Sequence, residues 1–60
     1  MNIIRKATGR AYARNVETEG LDLVLHCMPN GVYGIEDSNG HEIAIVAVCC
    51  GRYRYLECQE

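Results

Sequence analysis

Apolar residues recur at every second position through much of this chain, and the interruptions fall at turn-forming residues. In LDLVLHC, residues 21–27, Leu21, Leu23, Leu25 and Cys27 fall on one side and Asp22, Val24 and His26 on the other. That alternation predicts a half-buried strand, because successive side chains of an extended backbone point to opposite faces. RYRYLEC, residues 52–58, alternates in the same way, and GVYGIE, residues 31–36, is a shorter run broken by glycine. HEIAIVAVCC, residues 41–50, differs. Ile43, Ile45, Ala47 and Cys49 form one apolar face and Ala44, Val46, Val48 and Cys50 the other. A strand apolar on both faces needs cover on both.

Turn chemistry connects these runs. Met28-Pro29-Asn30-Gly31 and Asp37-Ser38-Asn39-Gly40 each end on glycine at the fourth turn position, and Cys50-Gly51-Arg52 supplies a third bend. Short turns enforce sequential antiparallel pairing. The expected fold is therefore a small α+β or all-β domain over residues 1–60. It is built on a four-stranded antiparallel meander, about 21–27, 31–36, 41–50 and 52–58, with an N-terminal strand or short helix.

The N-terminal twenty residues support both readings. As a helix, Ile3, Ile4, Ala7 and Ala11 form a stripe with Asn2 as cap, and Gly9 costs up to ~1 kcal/mol. As a strand, RAYARNVE aligns Arg10, Tyr12, Arg14 and Val16, and its alternation of charge and aromatic matches RYRYLEC. The strand reading is preferred for residues 10–17. The N-terminal segment covers one face of residues 41–50; a second copy of the chain or a docked target covers the other. The alternative is a strongly curled sheet that closes as a small barrel.

Length sharpens the need for a partner. At 60 residues, a chain buries only roughly 60% of its unfolded surface, which leaves marginal stability. A hydrophobic fraction of 48% argues against disorder. MNIIRKATGR lacks the apolar core of a secretory signal, and the longest apolar run, Ile43–Cys50, is far short of the ~20 residues of a membrane helix. A cytoplasmic location off the membrane, with reduced thiols, is the corresponding expectation.

The four cysteines and two histidines offer little chemistry. His26-Cys27 and Cys49-Cys50 are adjacent pairs. Zinc knuckles instead need two ligands at C-x2-4-C spacing so that one turn aims both at the ion. Neither a metal nor another cofactor is expected. Cys27 and Cys49 read as inward-facing residues that could bridge but in a reducing compartment stay as buried free thiols. A vicinal Cys49–Cys50 bridge would strain the local backbone. The only serine, Ser38, lies in a turn without a telling histidine, no glycine-rich phosphate loop occurs, and no apolar pocket surrounds a carboxylate. A non-enzymatic protein is expected.

Charge is segregated although the net is only −2. Residues 1–16 hold Arg5, Lys6, Arg10 and Arg14 and no acid. Residues 17–51 hold Glu17, Glu19, Asp22, Glu36, Asp37 and Glu42 and neither Lys nor Arg. These six acids are the candidate partner-binding face, able to steer association with a basic surface on a larger protein or nucleoprotein complex. The alternative is a small RNA- or single-stranded-DNA-binding β module using Arg10, Tyr12, Arg14, Arg52 and Arg54. A sequence pI near 5.6 makes nucleic acid the weaker reading. Freestanding domains of this size without a site work mainly by occluding a surface of something larger. Phage and mobile-element inhibitors, including anti-CRISPR proteins, are the commonest of that description, so an inhibitor of this anti-defence type is the functional expectation.

Overall fold

A computed structural model describes residues 1–58. Five strands, β1 (Asn2–Arg5), β2 (Ala11–Ala13), β3 (Gly31–Glu36), β4 (Glu42–Cys49) and β5 (Arg52–Cys58), form one antiparallel sheet in the order β2-β1-β3-β4-β5. Between β2 and β3 a 3-10 turn, Thr18–Gly20, leads into the helix α1, Leu21–His26. The small, mainly β architecture with a little helix agrees with the expected class. The last three strands pair as the turn residues require.

The turns show why. Asp37 Oδ1 accepts from the backbone N–H of Asn39 and of His41, both at 2.9 Å, and Gly40 takes φ +82°. An aspartate at the first turn position thus replaces backbone partners that the tight β3–β4 turn cannot supply. The β4–β5 loop has only Cys50 and Gly51, at φ +57° and +76°. Two successive positive values define a type I′ turn, whose twist matches that of the flanking strands.

Residues 21–27 do not form the expected strand. The same letters carry a second period: Leu21, Val24, Leu25 and Met28 lie at i, i+3, i+4 and i+7, the stripe of an amphipathic helix. In α1 Leu25 is 0% exposed, whereas Leu23, its neighbour in the alternating pattern, is 71% exposed. Asp22 in the first turn and His26 in the last suit the helix dipole. Cys27 is exposed at the C-cap, not inward.

The N-terminus is extended, as preferred, but only Ala11–Ala13 of residues 10–17 lie in a strand. Gly9 at φ +70° closes the β1–β2 hairpin, with its N–H donating to the Arg5 carbonyl at 2.8 Å. That backbone breaks the helical stripe and puts Ile3 in the core while Ile4 lies on the other face.

Helix and sheet enclose the core. Ile3, Leu25, Met28, Tyr33, Ile35, Ala44, Val46 and Val48 are buried together. Tyr33, the largest fully buried side chain, donates from its hydroxyl to the Pro29 carbonyl at 2.7 Å, so its one polar atom is satisfied. Each buried Val, Leu, Ile or Met side chain in this core contributes roughly 1.5–3 kcal/mol. Cys49 faces the opposite side and is exposed; it is not a buried thiol as expected, and all four cysteines are free.

Candidate interaction surface

The two faces of the sheet differ in cover. Cross-strand register places Arg5, Tyr33, Val46 and Tyr55 in one row beneath the helix side. The intervening rows, Ile4–Gly34–Ile45 and Val32–Ala47–Arg54, occupy the opposite face. No helix crosses that second face among the described residues. Val46 is fully buried, but Ile45 is only half-buried and Val32 is 41% exposed. Of the two apolar faces of β4, the chain itself buries that of Val46, and the cover there is α1 and not, as expected, the N-terminal segment, whose strands lie in the same sheet.

Lys6 and Glu42 bridge the open face. Lys6 Nζ lies 2.8 Å from Glu42 Oε2, and their side chains cross directly above Gly34. A Cβ at residue 34 would sit 2.6 Å from that carboxylate oxygen. The missing side chain of Gly34 leaves room for this ion pair to lie against the strand; a larger residue would push the Glu42 carboxylate aside. On the far side of Ile45 and Ala47, Arg52 pairs with Cys49 and Arg54 with Ala47. Ala47, Cys49, Arg52, Tyr53 and Arg54 line a shallow cavity of about 360 Å³.

The six candidate acids do not share one face. Glu17 and Glu19 lie at the 3-10 turn and Asp22 on α1, whereas Glu36 and Asp37 lie at the β3–β4 turn. Chain pairing still draws some of them together. Val16 exchanges hydrogen bonds with Met1, and Asn2 stands opposite Glu36, which puts Glu17 and Glu36 at the same end of the sheet. Three of the six have internal partners. Asp37 holds its turn, Glu42 pairs with Lys6, and Asp22 accepts the Tyr53 hydroxyl and lies 3.5 Å from His26 Nε2. His41 Nδ1 also lies 3.8 Å from Asp37.

The alternative set is divided as well. Arg10, Tyr12 and Arg14 belong to the β2 edge, and Arg52 and Arg54 to β5, the opposite edge. Four strand spacings of about 4.8 Å separate the two edges by roughly 19 Å. Tyr12 stacks edge-on against Tyr33, with ring centroids 5.7 Å apart, and Tyr53 and Tyr55 lie on the helix side, away from the two arginines of their strand. No single platform of stacked aromatics and cations is assembled from these five residues.

A cluster that the sequence reading missed ties α1 to β5. His26 Nδ1 lies 2.9 Å from the Gly51 carbonyl, so that nitrogen carries the proton and donates. Its ring meets Tyr53 edge-on at 5.0 Å, and Tyr53 meets Tyr55 at 5.9 Å. The hydrogen bond to Asp22 pushes the Tyr53 phenol up to about 12, with desolvation adding to it. Only the i, i+4 spacing of Asp22 and His26 signals this cluster in the sequence, and it does so only once the segment is read as helix.

Two further groups are perturbed among the described residues, Asp37 in the β3–β4 turn and Cys49 at the end of β4. Hydrogen bonding, first from the His41 N–H, holds the Asp37 carboxyl below its usual range. The Cys49 thiol lies above its usual range, first because of its hydrogen bond to Cys50, whose sulfur is 3.3 Å away. No group of three or more His, Cys, Asp or Glu gathers to hold a metal ion among the described residues, and no helix there is long and apolar enough to cross a membrane. Comparison with known proteins finds no matching family model, no similar curated protein and no similar solved structure.

Proposed function

We propose that this chain is a non-enzymatic binding domain that occupies a surface of a larger protein through the open face of its sheet. The carrying observation is the uneven cover: with α1 packed on it, one face buries Ile3, Tyr33, Ile35, Val46 and Val48 and leaves Tyr12 and Tyr55 exposed at its edges, while Ile4, Val32, Ile45 and Ala47 remain part-exposed on the other face. Part-exposed apolar residues set beside charged groups, the Lys6–Glu42 pair over Gly34 and Arg52 and Arg54 along β5, supply both kinds of contact that protein interfaces use. The acidic end at Glu17, Glu19 and Glu36 steers the encounter with a basic partner surface. In this reading the chain works by occlusion in the cytoplasm. That is the mode of small anti-defence inhibitors carried by phages and mobile elements, anti-CRISPR proteins among them.

The test is capture from nuclease-treated cell lysate with the wild-type chain and with Val32→Glu, which puts a charge in the open face. A stoichiometric protein partner retained by the wild type and lost with the folded variant supports the reading. Capture that disappears with nuclease, or is equal for both chains, overturns it. Sedimentation of the purified chain identifies a second copy as the occupant if the wild type is dimeric and Val32→Glu monomeric.

A further inference from the structure

We propose that Cys49 and Cys50 form a two-thiol chelating site for a trivalent arsenical carrying one organic substituent. The sulfurs are already together, 3.3 Å apart, on a backbone held by three independent constraints. Cys49 is paired to Arg52 in the β4–β5 ladder, the Cys50 N–H donates to Asn30 Oδ1 at 2.9 Å, and the two-residue turn fixes Cys50 at φ +57°. That turn position favours asparagine, aspartate or glycine, so a cysteine there is not explained by backbone preference. Both thiols are exposed.

Having two sulfurs and no third ligand among the described residues selects the class of ligand, and the separation accommodates it. With bonds of about 2.3 Å, the length typical of a metal–thiolate bond, a 3.3 Å bite closes an angle of about 90° at the bound atom. A tetrahedral ion such as zinc needs its sulfurs about 3.8 Å apart with the same bonds. Zinc also needs two further ligands, and no third His, Cys, Asp or Glu joins this pair among the described residues. Trivalent arsenic bonds through p orbitals near right angles, keeps a lone pair, and is satisfied by two sulfurs and one carbon. The carbon substituent has a place in the shallow cavity that Cys49 shares with Ala47, Tyr53, Arg52 and Arg54.

The chemistry balances without an oxidant. An arsonous acid, R–As(OH)2, condenses with two thiols: two As–O bonds break and two As–S bonds form. The thiol protons leave with the hydroxyl groups as two waters, and arsenic stays trivalent. Because the fold has already ordered both sulfurs, the second bond closes at high effective concentration.

The experiment treats the full chain with hydrated phenylarsine oxide, adds excess glutathione, and reads intact mass. The expected result is one adduct, the mass of a phenylarsenic group less two hydrogens, that survives glutathione and is removed by dithiothreitol. Cys50→Asn suits the turn and so remains folded; it should lower retention against glutathione by roughly 100-fold or more. Cys49→Ser should do the same, while the double change Cys27→Ser, Cys58→Ser leaves retention unchanged. A wild-type adduct stripped by glutathione, or retention that follows Cys27 or Cys58, overturns the proposal.

Discussion

Asp37 shows how one side chain sets a local conformation. Its carboxylate oxygen gathers two backbone N–H groups of the β3–β4 turn and is held below its ordinary value of 3.8. A depressed carboxylate contributes stability above the unfolded value and loses it as pH falls through the folded one. Asparagine keeps an acceptor oxygen but not the charge. Melting temperatures of the wild type and Asp37→Asn should therefore differ at about pH 6, in favour of the wild type, and converge near pH 2. A constant difference across that range would assign the turn to sterics alone. The same geometry rules out Asp37 as a free partner-binding residue whose charge can be reversed without touching the fold. Glu17 and Glu36 are the better probes.

At the scale of elements, the α1 segment is where the sequence misleads. Its letters satisfy period 2 and period 3.6 together, and six residues are too few for either to dominate. Tertiary packing decides: a helix lays Leu21, Val24, Leu25 and Met28 over the sheet, which a strand could not do without leaving the sheet face bare. The expected consequence is asymmetric. Leu25→Ala should cost about 2–5 kcal/mol, enough to unfold most of a marginal domain, and Leu23→Ser should change stability by less than about 0.5 kcal/mol. Urea denaturation separates the two, and equal costs would restore the strand reading.

The strands β3, β4 and β5 were legible because glycine, aspartate and alternation agree at each boundary. The face exposed by β4 was legible as a need for cover, but which face was not, since Ile43, Ile45 and Ala47 are as apolar as Ala44, Val46 and Val48. The α1–β5 clamp was illegible because it joins residues 31 apart through a segment whose period-2 pattern points to strand. Tyr53 gives that clamp a measurable signature. A phenol raised from 10.0 to about 12 contributes stability below pH 10 and loses it as pH rises toward 12. Tyr53→Phe should be less stable at neutral pH and should lack this alkaline loss, as thermal melts at about pH 8 and about pH 11 would show.

For the whole molecule, the question is what the segregated charge does once the chain has folded. Folding consumes part of it, since Lys6 with Glu42 and Tyr53 with Asp22 are internal pairs. Among the charges outside those pairs, Glu17 and Glu36 mark an acidic end, Arg52 and Arg54 lie on the β5 side of the open face with Glu57 on the same strand, and Arg10 and Arg14 lie on the β2 edge. Charges at the rim of an interface act chiefly on the rate of encounter, and apolar contacts at its centre on the rate of escape. These predict different kinetic signatures for variants of the same surface. Glu17→Lys with Glu36→Lys should slow association several-fold and flatten its dependence on salt, because steering is screened over about 8 Å at physiological ionic strength. Val32→Glu should instead speed dissociation with little change in the salt slope. Surface plasmon resonance with the captured partner at two salt concentrations reads both rates. If Arg52→Glu with Arg54→Glu slows association and the Glu17, Glu36 variant does not, the partner surface is acidic and approaches from β5.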